Sequence, residues 1–159
     1  MSASVSEPAA PQDRRRVVVV PGILGSRLLA KDGSVLWGDR SSLSHFGQLD
    51  LDPEKPGDAL EVGGFVERIR VLGPFWTVHA YDDLLIHLRV LGFRDGETLF
   101  QFPYDWRQSN FVTAEKFQSW LQAQPALRDG TFDIVAHSMG GIATRIWLTQ
   151  FNGAPRVRR

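Results

Sequence analysis

Phe132-Asp133-Ile134-Val135-Ala136-His137-Ser138-Met139-Gly140-Gly141 is the stretch from which the fold of this 159-residue chain can be read. The apolar run Phe132–Ala136 predicts a buried strand. The residues from Met139 to Phe151 predict a helix, with Asn152-Gly153 as its C-terminal stop. A serine between the two sits on a sharp strand-to-helix turn. The residues two before and two after it, Ala136 and Gly140, are small, as they must be where a strand end and a helix start pass close together. Gly141 adds a second small residue. Such a turn lifts the Ser138 hydroxyl to the carboxyl edge of a sheet and aims the Met139 backbone N–H, at a helix N-terminus, where an oxyanion would form. The plainer alternative is a serine that caps a helix. The preceding strand and the second glycine favour a nucleophile. His137 adjoins it, but neighbours on this turn point apart, so His137 is expected to pack or hydrogen-bond rather than to act as the base.

Working outward, Val17–Val20 is a β-branched run closed by Pro21-Gly22, the pattern of a strand buried on both faces of a parallel sheet. The loop that follows, Pro21-Gly22-Ile23-Leu24-Gly25-Ser26, is placed to give a second backbone donor to the same oxyanion, and the N–H of Ile23 is the candidate. Tyr81, Leu84, Leu85, Leu88 and Leu91 share one helical face, with Asp82 and Asp83 at the start and Gly92 at the end. Thr98–Phe102 predicts a strand, and Ala114, Phe117 and Leu121 line a second helix closed by Pro125. Strands alternating with helices of this length imply βαβ units and a parallel sheet. Residues 23–75 carry weaker signals and read as a loop or cap-like insertion, with a hairpin around Lys31-Asp32-Gly33 and a strand at Phe65–Leu72. Residues 1–16 read as a disordered tail, rich in Ser, Ala and Pro and ending in Arg14-Arg15-Arg16.

The composition narrows the function class. Eighteen basic residues balance eighteen acidic ones, which gives no reason to expect nucleic acid or an anionic membrane as partner. There is no cysteine, so a thiol nucleophile, disulfides and thiolate metal sites are excluded. No metal and no cofactor are expected. No segment reaches the ~18 apolar residues of a membrane span, and the valine run is too short for a signal peptide. The expected location is therefore cytoplasmic.

Phe102-Pro103-Tyr104-Asp105-Trp106-Arg107 sets an acid and a base among aromatics directly after a strand. Tyr104, Asp105, Trp106 and Arg107 are expected to brace the active edge without entering the chemistry, with Asp105 and Arg107 as a candidate buried ion pair. Taken in order, the Pro-Gly-Ile-Leu-Gly-Ser loop, Tyr-Asp-Trp-Arg and Ala-His-Ser-Met-Gly-Gly resemble the lecithin:cholesterol acyltransferase-like lipases and acyltransferases from Val17 onward. The resemblance implies an α/β-hydrolase fold, three-layer αβα with a mostly parallel sheet. It also implies an acyl-enzyme on Ser138, with Ile23 and Met139 as oxyanion donors and a lipid or other ester as substrate. In that fold an acid and then a histidine follow the nucleophile, whereas no Asp, Glu or His follows Ser138 here. Pro155–Arg159 reads as the lead-in to a strand that does not arrive. The expectation is thus a truncated hydrolase, weakly active or inactive, with His79 the first upstream base to examine if turnover is found. The alternative is a non-catalytic lipid-binding or structural remnant of the same fold.

Overall fold

The computed structural model describes residues 15–39, 49, 60–66, 68–72, 76–79 and 81–159, with backbone alone at 68–72 and 76–79. The valine run forms strand β1, Val17–Val20, buried along its whole length. It lies between β7, Leu99–Gln101, and β8, Asp133–Ala136, in a parallel sheet of order β7-β1-β8. Val17 faces Leu99 on one side and Asp133 on the other, and Val20 faces Ala136. The strand has the bounds read from the sequence, and the Arg16 carbonyl before it accepts from the Asp133 N–H.

Alternate valines serve opposite faces, as period-two geometry requires. Val18 and Val20 pack into a cluster with Phe100, Phe117, Leu121, Phe132 and Trp147. Several of those side chains come from α2, Asn110–Ala123, and α4, Met139–Gln150. The two helices are joined by Trp147 Nε1 donating to Gln118 Oε1 at 2.7 Å, and the Phe117 and Trp147 rings meet edge to face at 5.1 Å. Val17 and Val19 pack on the other face with Phe65, Tyr81, Leu85 and Leu99, beneath α1, Asp82–Val90. Helical side chains thus pack on both faces of the parallel sheet, an arrangement compatible with a partial α/β fold.

One helix boundary differs from the sequence reading. Leu91 lies past the last turn of α1 and is 75% exposed. The Gly92 N–H bonds to the Arg89 carbonyl and the Phe93 N–H to the Leu88 carbonyl, a helix stop that turns Leu91 away from the core. α2 ends at Ala123, with Gln124 extended, immediately before Pro125 as expected, and Pro125 opens a new element. It is the first residue of a short helix α3, Pro125–Arg128, where a missing N–H does no harm.

Part of the segment read as an insertion is sheet. β2, Ser26–Leu29, forms a hairpin with β3, Val35–Trp37, through the predicted Lys31-Asp32-Gly33 turn, and β4, Glu61–Phe65, pairs antiparallel on the other side of β2. The expected single strand Phe65–Leu72 is two. It divides between β4 and β5, Arg68–Leu72, which pairs with β6, Trp76–His79. Leu28, Trp37, Leu49 and Val66 join the main core. The sequence hid this because its strands are short, bulged and interrupted by Gly and Arg.

The C-terminal segment is the lead-in that the sequence indicates, with no full strand within it. Residues 156–159 lie alongside β8. The Phe132 N–H donates to Arg156 O, the Arg158 N–H to Phe132 O and the Ile134 N–H to Arg159 O, so a parallel pairing has begun. Beyond it Val135 is 37% exposed at the open edge.

Candidate active site

Because the sheet is parallel, the loops after β1, β7 and β8 leave from one edge, where ligands of open α/β sheets bind. These are the three segments singled out in the sequence.

Ser138 has φ +52 and ψ −124, a conformation in which a non-glycine residue is strained. Its side chain makes no cap hydrogen bond to α4. The capping alternative is thus at odds with the geometry, since a capping serine has extended φ/ψ and bonds to helix N–H groups. Ser138 and His137 are exposed. Neither Ile23 N–H nor Met139 N–H finds an acceptor among the described residues.

Close packing sets the turn against the end of β1. A Cβ on Gly140 would stand 2.2 Å from Pro21 O and 2.8 Å from Val20 O. The β1 strand end therefore demands a small residue at 140. A Cβ on Gly22 would stand 2.9 Å from Ser138 Cβ and 3.0 Å from His137 Nδ1. The residue before Ile23 thus lies directly against the serine turn. Ala136 is exposed. Gly141 has open space where a Cβ would go, so no packing requires it to be glycine.

The loop of residues 21–26 is held by side chains from separate segments. Tyr104 Oη donates to Pro21 O at 2.9 Å, and Ser26 Oγ accepts from Tyr104 N–H at 3.0 Å. Trp106 Nε1 donates to Ser26 O, and Trp37 Nε1 to Leu24 O. The Gly22 N–H donates to Tyr81 Oη at 2.7 Å, and Tyr81 Oη lies 2.9 Å from His137 Nδ1. Asp105 and Arg107 form a bidentate pair with contacts of 2.9 and 2.7 Å, each side chain about nineteen parts in twenty buried (4% and 5% exposed). Sequence reasoning placed Tyr104–Arg107 near the edge but missed Ser26 and Trp37 as anchors. It also took Tyr81 as one more apolar residue of a helical face. Nothing in its spacing marks the hydroxyl.

Residues 47–154 match the lecithin:cholesterol acyltransferase family. The chain belongs to that family. Lecithin-cholesterol acyltransferase-like 4 of Arabidopsis thaliana is 27% identical over 169 aligned residues, covering 89% of this chain and 32% of the relative. The chain spans about a third of the length of that curated relative. In this member of the lecithin:cholesterol acyltransferase family, the matched region contains the Tyr104–Arg107 brace and the Ser138 turn, while β1 and the Ile23 loop precede it.

The remaining expectations concern charge and membranes. No group of three or more potential metal-binding side chains occurs among the described residues. No helix among them is long and apolar enough to cross a membrane. Of the two described histidines, His137 turns Nδ1 to Tyr81, and His87 Nδ1 contacts Asp83 O within its own helix. The side chain of His79 lies outside the described set.

The chain has two tyrosines, and both serve this loop. Burial pushes the Tyr104 phenol far above its ordinary value, with the nearby Tyr81 adding to the rise. Burial also raises Tyr81, partly offset by the Gly22 N–H. In the unfolded chain both ionise near ~10. Above that pH the unfolded state binds fewer protons than the folded one, so stability falls with rising pH. The contribution is complete below pH ~10 and is lost as pH climbs through the higher folded values. Tyrosinate absorbance of the folded chain is expected to appear at higher pH than that of the unfolded chain, with Tyr104 the later of the two. Ordinary titration of both phenols in a folded chain would contradict the arrangement.

Proposed function

We propose that this chain carries the nucleophile and oxyanion site of a serine-dependent lipid ester hydrolase or O-acyltransferase with an α/β-hydrolase fold. The observation that carries this reading is the backbone of Ser138. Its φ +52, ψ −124 turn leaves the hydroxyl exposed and uncapped, beside the Gly22 loop. A strained residue persists only where its surroundings over-determine it, and such residues gather at active sites. Family membership supports the acyl-transfer class.

In the proposed reaction Ser138 Oγ attacks the ester carbonyl carbon and gives up its proton to a base. The carbonyl π electrons move to oxygen, and the Ile23 and Met139 N–H groups stabilise the resulting oxyanion. Collapse expels the alcohol, which takes a proton, and leaves an acyl ester on Ser138. Water or an acceptor hydroxyl then attacks that ester, taking the acyl group and restoring the serine. The base in this reading is an imidazole other than His137 and His87, whose rings do not hydrogen-bond Ser138 Oγ.

The test is intact-protein mass spectrometry after treatment with a fluorophosphonate. One phosphonyl group is expected on Ser138 of the folded chain and none on Ser138→Ala. An unlabelled, folded wild-type chain would refute the serine-nucleophile reading.

A further inference from the structure

We infer that Tyr81 is a positioning residue for acyl transfer: its hydroxyl locks the oxyanion loop to the Ser138 turn and fixes His137 as the Nε2–H tautomer. This rests on the serine-nucleophile reading above.

The argument follows from counting protons. Gly22 N–H can only donate, so Tyr81 Oη accepts from it at 2.7 Å. The single Tyr81 proton is then free for His137 Nδ1, 2.9 Å away. Donating that proton to Nδ1 uses the Tyr81 donor within the site and puts the neutral ring's own proton on Nε2; the opposite arrangement, Nδ1–H donating to Oη, would leave the Tyr81 proton to solvent. On the other side, Tyr104 Oη donates to Pro21 O at 2.9 Å. Pro21 C=O and Gly22 N–H belong to one peptide unit, so the two tyrosines grip its opposite ends. The result is a chain running in one direction, from Tyr104 through the Pro21–Gly22 peptide and Tyr81 to His137. Hydrogen bonds aligned in this way polarise one another and strengthen the series.

The consequence for chemistry lies one residue further on. The next backbone donor after the gripped peptide is Ile23 N–H, and Gly22 lies against Ser138 and His137 with no room for a Cβ. Orientation of that peptide plane therefore sets where the Ile23 N–H points relative to Ser138. Oxyanion donors act through pre-set geometry, and loosening them lowers the rate of reaction more than ground-state binding. Tyr81 makes this connection while its ring packs on Phe65, centroids 5.3 Å apart. Tyr81→Phe preserves that packing and removes only the hydroxyl.

Two readouts on the full 159-residue chain test the inference. Long-range proton–nitrogen spectra of the imidazoles, with His137 assigned by its loss in His137→Gln, are expected to show Nε2 protonated and Nδ1 bare in the wild type. In Tyr81→Phe the ring should relax to a mixture of tautomers. This wild-type measurement stands even if the variant fails to fold. Fluorophosphonate inactivation of Ser138 is expected to keep its reversible constant KI in Tyr81→Phe while kinact falls on the order of tenfold. A Tyr104→Phe variant, which removes the far end of the series, should lower kinact in the same direction. An Nδ1-protonated His137 in the wild type overturns the inference. So does a Tyr81→Phe variant labelled at the wild-type rate. A wild-type chain that is never labelled instead defeats the serine reading beneath it, so the two failures are told apart.

Discussion

Gly140→Ala is expected to destabilise the chain by about 3 kcal/mol or more, the upper part of the range for overpacking a closed site. The added methyl would lie 2.2 Å from Pro21 O and 2.8 Å from Val20 O. Both are backbone atoms, so no side-chain rotation relieves the contact. Pro21 O is also held in place by Tyr104 Oη. The N-terminus of α4 must then move away from β1, taking Ser138 with it. Gly141→Ala is the control. A Cβ there meets nothing within 4 Å, and alanine in a helix gains roughly 0.5–1 kcal/mol over glycine. Urea denaturation should therefore show the two variants moving in opposite directions at unchanged m-value. A Gly140→Ala midpoint equal to wild type would mean that the close approach of helix and strand does not exist.

Arg107→Met is expected to cost about 3–5 kcal/mol, because it leaves the Asp105 carboxylate buried without its partner. The wild-type pair makes two contacts, at 2.9 and 2.7 Å, and is almost closed to solvent. Its neighbours Tyr104 and Trp106 hold Pro21 and Ser26. Losing the pair should thus disturb the 21–26 loop as well as global stability. The double variant Asp105→Asn, Arg107→Met removes both charges and is expected to recover part of the loss, since most of the cost comes from the unpaired charge. Equal destabilisation in single and double variants would show that the pair matters only through packing.

How much of this was legible beforehand follows from the range of the interactions involved. The β1 and β8 strands and the α2 and α4 helices were readable because their residues repeat at the period of their own element, as with Ala114, Phe117 and Leu121. The strand-to-helix turn at Ser138 was readable because a strand pattern and a helix pattern meet there, with a glycine at 140 that lets the helix start approach β1. The antiparallel pairing of β2 with β4 was not, because its partners are about thirty-five residues apart and its strands are broken by Gly63 and Gly64. The role of Tyr81 was also hidden. Its hydroxyl bonds to Gly22, 59 positions away, and no local pattern records such a contact. The lead-in at Pro155–Arg159 was readable from the helix stop and proline before it, although its partner was not: its backbone bonds to Phe132 and Ile134.

The anchors of the 21–26 loop come from three places in the chain: Trp37 in β3, Tyr81 at the start of α1, and Tyr104 with Trp106 after β7. None of the three segments can order the loop alone. The serine turn is written in one contiguous stretch, yet it leans on the end of β1, so turn and loop both depend on partners far away in the chain. On the serine-nucleophile reading proposed above, labelling of Ser138 should return during refolding only with this long-range packing and after the helical signal, so that a partly assembled chain carries a serine that is present but inert.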